Sequence, residues 1–166
     1  MIDLHPTSIT KWSSTNIDRP LHLLNETAKD IFVALCIWDP NGTADDTLGT
    51  GWVHVRPRAT STLAIPVPRL GSARLALYAR SRKNKRQWTG SGPRGRQFAV
   101  LLPADGERLD DHTDYRLRGA ASMHTRVLSR RGGLERLERV TGQLVEMTGS
   151  YTYRFRWAED QHQVSA

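Results

Sequence analysis

The sequence predicts a mainly β fold, a single-domain β-sandwich or barrel-like architecture, on three observations. Short apolar or alternating segments recur along most of the chain, separated by turns rich in Gly, Pro and Asn, which is the pattern of a sandwich or barrel. Residues 30–38 are apolar on both faces, with Ile31, Val33, Leu35 and Ile37 alternating with Phe32, Ala34, Cys36 and Trp38. A strand of that kind is central and covered on both sides. Residues 150–157 place Tyr151, Tyr153, Phe155 and Trp157 on one face and Ser150, Thr152, Arg154 and Arg156 on the other, a half-buried strand with an aromatic inner face.

The other elements follow in chain order. Residues 1–19 lack periodicity and read as an N-terminal arm ahead of one β-rich domain over 20–166. Residues 20–24 form a short strand, and Asn25-Glu26-Thr27-Ala28 a turn, because Asn and Thr side chains bond nearby backbone. After the strand at 30–38, the turn formers of 39–46 make a loop. Residues 51–56 alternate Trp52, His54 and Arg56 against Val53 and Val55. Residues 59–67 place Leu63, Ile65 and Val67 on one face, while Pro66 and Pro68 make that strand an edge or end it. In 73–80, Ala73, Leu75, Leu77 and Ala79 point inward, against Arg74, Ala76, Tyr78 and Arg80. A polar loop at 81–95 encloses Trp88, a strand covers 97–102, and an acidic loop covers 103–114. Residues 115–118 and 124–128 are two further short strands. Leu134, Leu137, Val140, Leu144 and Met147 step by 3, 3, 4 and 3, which predicts one C-terminal helix over about 133–147. Glu135 and Arg139 support it as an i, i+4 pair. Gly142 counts against it, and two short strands are the alternative.

The chain has 166 residues, the size of one ordinary domain, and 38% hydrophobic with 25% charged residues is a globular composition. The longest apolar run is the eight residues 31–38, too short for a membrane-spanning helix. No basic flank followed by an apolar stretch opens the sequence, so no secretory signal is expected and the location expected is cytoplasmic. A single cysteine, Cys36, excludes an internal disulfide and a Cys-rich metal site.

The net charge of +7 is concentrated. Residues 1–68 carry 5 basic and 7 acidic side chains, residues 69–131 carry 15 and 5, and residues 132–166 carry 4 and 5. No acid occurs between Asp46 and Asp105, a gap that holds 11 cations. The candidate anion- or partner-binding residues are Arg74, Arg80, Arg82, Lys83, Lys85 and Arg86, then Arg94 and Arg96, with Trp88 among them. A positive field of this kind attracts phosphates, nucleic acid, anionic lipid or an acidic protein. The competing reading is a solvated loop.

Residues 23–100 resemble a bacterial family known as domain of unknown function 1036. The matching pieces are Asn25-Glu26-Thr27 between two strands, Val33-Ala34, Gly51-Trp52 with Pro57 five residues after the tryptophan, Tyr78-Ala79 ending a strand, Trp88-x-Gly90, and the strand containing Phe98. This chain has Val53 and Arg58 where a second aromatic and a glycine are typical of the family. The resemblance implies a compact β-rich domain and an accessory or sensing role in a bacterial multi-component system; it implies no chemistry.

No catalytic constellation stands out. Cys36 sits mid-strand among apolar residues, where its thiolate is disfavoured. Asp110-Asp111-His112-Thr113-Asp114 is the nearest thing to an oxygen-rich metal loop, but it lacks the Gly and the distal Glu of an EF-hand. Gly90-Ser91-Gly92-Pro93-Arg94-Gly95-Arg96 is Gly-rich and cationic but feeds a strand, whereas a phosphate-cradling loop feeds a helix. Trp88 beside Arg86, and Tyr78 between Arg74 and Arg80, loosely fit the stacking-plus-phosphate pattern of single-strand binders. Arg154 and Arg156 would extend a basic surface. The sequence therefore points to a non-enzymatic binding or interaction domain with a protein partner. The alternative is a nucleic-acid or polyanion-binding module using 69–97. No cofactor and no metal are expected.

Overall fold

In a computed structural model, the described residues are 16–39, 46–103, 109, 114–130 and 133–158. Among them eleven strands form: β1 (Asn16–Asn25), β2 (Ile31–Trp38), β3 (Thr47–Val55), β4 (Thr60–Pro68), β5 (Ala73–Ser81), β6 (Gln87–Trp88), β7 (Gly95–Pro103), β8 (Tyr115–Arg118), β9 (Arg126–Arg130), β10 (Gly133–Met147) and β11 (Tyr151–Phe155). A three-stranded sheet has the order β11-β1-β4. A larger one has the order β7-β10-β5-β2-β3-β8, with β6 on β5 and β9 on β10, and it curls into a half-barrel. The mainly β sandwich or barrel-like class is thus the observed one.

Two cores follow from the central strands. One face of β2 and β5 (Val33, Leu35, Leu75, Leu77) packs with Leu21 and Leu23 of β1, Ile65 of β4 and Phe155 of β11. The other face (Phe32, Ala34, Cys36, Ala76, Tyr78) packs within the curl with Trp52, Phe98, Tyr115 and Leu117. Residues 30–38 behave as expected, since Ile31 to Ile37 are all 0% exposed. Pro66 and Pro68 lie on β4, an edge strand of the smaller sheet, where a missing N–H costs no ladder bond.

The expected helix over 133–147 is instead the long strand β10. Residues 135–143 pair with β7, 133–137 with β9 and 143–147 with β5. The 3–4 spacing has a physical origin. Leu137 belongs to the core inside the curl, and Val140 packs against it, whereas Val145 and Met147 belong to the core between the sheets. A strand that changes cores along its length breaks its period of two. Gly142, which counted against the helix, sits where a Cβ would meet the Phe98 ring at 2.8 Å and the Leu77 carbonyl oxygen at 2.9 Å.

Other boundaries also move. The first strand begins at Asn16, so residues 16–19 belong to the sheet and not to the arm; the rest of the arm, 1–15, lies outside the described residues. Strand β9 starts at Arg126. On β11 only Phe155 is fully buried; Tyr153 is half-buried and Tyr151 is exposed, because this short strand lies on an edge of the smaller sheet.

Three local devices hold the cores in register. β3 carries one residue more than β2 between the pairs Val33–Val53 and Leu35–Thr50. This bulge switches the side-chain alternation, so that Leu48, Val53 and Val55 all meet the core between the sheets while Trp52 enters the curl. The Trp52 indole N–H then donates to the Leu101 carbonyl of β7 at 2.8 Å, joining strands that three others separate in the sheet. The β1–β2 turn is knotted by Asn25, 0% exposed. Its Nδ2 donates to the carbonyls of Lys29 (2.7 Å), Val55 (3.0 Å) and Arg56 (3.1 Å), and its Oδ1 accepts from the Thr27 N–H and hydroxyl. Arg58 adopts φ 59°, the left-handed conformation that glycine takes most easily, and its guanidinium donates to the Glu26 carbonyl.

Asn25→Ala removes three donated bonds and the acceptor of the Thr27 N–H at once, although the Lys29 carbonyl keeps the Thr27 hydroxyl and the Arg56 carbonyl keeps the Ala59 N–H. The expected loss is about 3 kcal/mol of unfolding free energy in urea denaturation, since each unsatisfied buried group costs about 1–3 kcal/mol. Asn25→Asp retains the acceptor and loses the donors, so it should recover only part of that loss.

Candidate functional site: a basic pocket beside the β5–β6 hairpin

The hairpin from β5 to β6 is a built turn rather than a loose loop. The Ser81 hydroxyl accepts the backbone N–H groups of Lys85 and Arg86, both at 3.0 Å. The Ser81 N–H donates to the Arg86 carbonyl (2.9 Å) and the Asn84 N–H to the Ser81 carbonyl (3.0 Å). Asn84 takes φ 59°, a conformation Asn tolerates better than most residues. These bonds hold up Lys83 and Lys85, both exposed.

Facing this turn is the start of β2, held by the Asn25 knot. Between them lies a cavity of about 450 Å³ lined by Lys29, Asp30, Arg82, Lys83, Lys85 and Arg86. Its side chains thus include five cations and one acid. Asp30 Oδ1 accepts a hydrogen bond from His54 Nε2 at 2.7 Å, and the same carboxylate stands 4.0 Å from Arg82. His54 stacks on Phe32 (centroids 4.7 Å, planes 5° apart). The Arg82 guanidinium also lies over the Phe32 ring at 4.8 Å and donates to the Leu109 carbonyl at 2.8 Å. Arg86 lies over the Trp157 ring at 5.0 Å.

Four of the sequence-selected residues, Arg82, Lys83, Lys85 and Arg86, therefore come together. The others do not join them. Arg74 sits at the far end of β5, in register with Glu146; eight residues of strand separate it from Arg82, about 26 Å at ~3.3 Å per residue. Arg94 is exposed in the 3-10 turn Gly92–Arg94. Arg96 donates to the carbonyls of Pro93 and Gly95. The outward face expected for Arg74, Ala76, Tyr78 and Arg80 is, from Ala76 to Arg80, a second interior: Ala76 is 0%, Tyr78 5% and Arg80 2% exposed. Curling of the sheet covers that face. Trp88 is an anchor: its indole N–H donates to the Arg156 carbonyl at 3.0 Å, and its ring meets Phe155 and Trp157 edge-on at 5.8 and 5.5 Å. Lys29, Asp30 and His54 were not selected from sequence. They join the site only through pairing of β2 with β5 and β3, and no local pattern marks them.

Arg154 and Arg156 both bind the Glu26 carboxylate at 2.6 Å, so one of their two positive charges is offset. The Arg156 hydrogen bond holds the Glu26 carboxyl below the ordinary glutamate range, with Arg154 adding to it against the opposing effect of desolvation. Cys36 is buried, and desolvation pushes its thiol up to about 12. The Asp110–Asp114 loop lies outside the described residues except for Asp114. Among the described residues, no three His, Cys, Asp or Glu side chains are grouped to hold a metal ion, and no helix is long and apolar enough to cross a membrane.

Two measurements check these assignments. A lowered folded-state pKa means that the Glu26 contribution is present at neutral pH and is lost as pH falls through that value. The stability gap between the native chain and Glu26→Gln, at most about 1 kcal/mol for such exposed arginine partners, should therefore close in acid and stay constant above the glutamate range. Cys36 should resist a thiol-reactive dye in the folded protein at pH 8 and react fully in denaturant. Compared with known proteins, the chain matches no family model, no curated protein and no solved structure.

Proposed function

We propose that the chain is a non-enzymatic binding domain, an accessory or sensing component of a bacterial cytoplasmic system, that docks an acidic segment of a protein partner on the basic pocket. The observation that carries this reading is the convergence of Lys29, Arg82, Lys83, Lys85 and Arg86 on one cavity, where Asp30 is the acid among the described lining residues. The arginines are held in place by Leu109, Phe32 and Trp157, which limits the entropy lost on binding. The exposed lysines supply the long-range attraction that raises association rates.

Nucleic acid is less well served. A single-strand binder needs a continuous cationic track and rings free to stack. Here Lys29, Arg82, Lys83, Lys85 and Arg86 contract into one pocket, Arg74 and Arg94 stand apart, and the Trp88 ring is packed against Phe155 and Trp157.

Fluorescence anisotropy with a labelled polyglutamate peptide tests the reading, with a single-stranded oligonucleotide of equal charge beside it. The peptide should bind, and its affinity should fall at least about tenfold between roughly 50 and 300 mM salt, because exposed charges are screened over that range. Lys83→Glu/Lys85→Glu should abolish binding without loss of stability. Salt-independent binding, or unchanged binding by the double variant, would sink the proposal. Tighter binding of the oligonucleotide would transfer the pocket to nucleic acid.

A further inference from the structure

The hairpin that walls the basic pocket walls a second cavity as well. Ser81, Arg82, Lys83, Lys85 and Arg86 line the first, whereas Arg80, Asn84, Gln87 and Thr89 line the second. The second cavity arises from a split in the large sheet. β5 pairs with β10 only from Leu77↔Gln143 to Ala73↔Met147, and beyond that Ala79 and Arg80 pair with Trp88 and Gln87 of β6 instead. On the same side β9 takes residues 133–137 of β10. Among the described residues, no strand therefore pairs with 138–142 on that side. Gly90 closes the split at its inner end: its N–H donates to the Thr141 carbonyl at 3.1 Å, and a Cβ there would come within 2.1 Å of the Gly142 oxygen.

The result is a cavity of about 400 Å³ bounded by Trp52, Tyr78, Arg80, Arg136, Glu138 and Arg139, within the size range of small-ligand sites. Its inner wall consists of buried side chains, with Trp52, Tyr78 and Arg80 each 5% exposed or less. The arginines are oriented by the protein itself. Arg80 donates to the carbonyls of Ser81 (3.2 Å) and Arg82 (3.3 Å). Arg139 donates to the carbonyls of Met123 (2.6 Å) and Ala121 (3.0 Å), and Arg136 pairs with Glu138 at 3.2 Å. Among the described lining residues the charged groups are Arg80, Arg136, Arg139 and Glu138, a balance that favours an anion, and a guanidinium recognises carboxylate and phosphate oxygens through paired N–H donors. Asn84, Gln87, Thr89 and Thr141 add neutral hydrogen-bonding groups around the cavity, of the kind that pair with ligand hydroxyls. Burial raises the Tyr78 hydroxyl above its ordinary range, so it remains a donor at neutral pH.

We propose that this cavity binds a small hydroxyl-bearing anion, a phosphorylated or carboxylated molecule of about the size of one sugar, separately from the acidic partner at the basic pocket. The placement of Arg80, Arg136 and Arg139 around one buried aromatic floor carries it.

The test uses the full chain, with glucose 6-phosphate and glucuronate as probes for the two anionic groups and glucose as the neutral control. The readout is the NMR signal of the Trp52 indole N–H together with calorimetric affinity. Either anion should shift the Trp52 signal saturably, and glucose should not. Arg136→Gln should weaken binding about tenfold, the scale of one charge-assisted hydrogen bond of about 1.4 kcal/mol. Gln87→Glu, at an exposed rim position where folding is not at stake, should also weaken it several-fold. Lys83→Glu/Lys85→Glu, which removes the partner pocket, should leave it within about twofold, so failure of one site is distinguishable from failure of the other. Silence of Trp52 with both anions, an equal response to glucose, or full affinity in Gln87→Glu would overturn the site.

Discussion

β2 pairs with β5 on one side and β3 on the other and has no exposed side chain from Ile31 to Ile37. Everything else in the molecule depends on this double burial. Each fully buried Phe, Leu or Ile contributes about 1.5–3 kcal/mol of transfer free energy, and that gain needs cover on both faces at once. The small sheet supplies one cover through Leu21, Leu23, Ile65 and Phe155. The large sheet must supply the other by curling, so that Trp52, Phe98, Tyr115 and Leu117 close over Phe32, Ala34 and Cys36. A flat sheet would leave the second face wet.

Curling has consequences that reach the candidate sites. It brings β3 close enough to β7 for the Trp52 indole to reach the Leu101 carbonyl. It also draws β5 and β10 apart past Gln143, and β6 enters the gap. The same event makes the hairpin from 81 to 86 and places one pocket on each side of it. Three residues act in this framework: Asn25 ties the turn to the end of β3, Trp52 closes the curl, and Gly90 fits against Gly142. These are packing roles, and their chemistry lies in hydrogen-bond satisfaction and close approach rather than in catalysis.

Arg82, Lys83, Lys85 and Arg86 were legible as a basic site because the turn that presents them is local. Ser81 and Asn84 form it within six residues. Lys29, Asp30 and His54 were not, since they reach the site from 28 to 57 positions away in the chain, brought there by the pairings of β2. Arg80 was read correctly as facing away from Leu77 and Ala79, but that side is interior. Period-two alternation reports which residues share a face; it carries no information on whether a second layer covers the opposite one. The C-terminal segment misled for a related reason, because β10 serves two cores in succession and its apolar residues imitate a helical stripe.

The amino-acid sequence by itself determined the β class, the central position of residues 31–38, the turn at Asn25, the edge placement of the prolines and the location of the positive charge. Each of these follows from local chemistry: alternation, a missing N–H, side-chain bonding to nearby backbone, or a count of ionisable groups. Only the tertiary structure decided which cations converge, that Arg154 and Arg156 are bound to Glu26, that β10 is a strand, and that the sheet splits beside Gly90. Those outcomes depend on how far the large sheet must curl to cover β2, which is a sum over both cores and is written in no single segment.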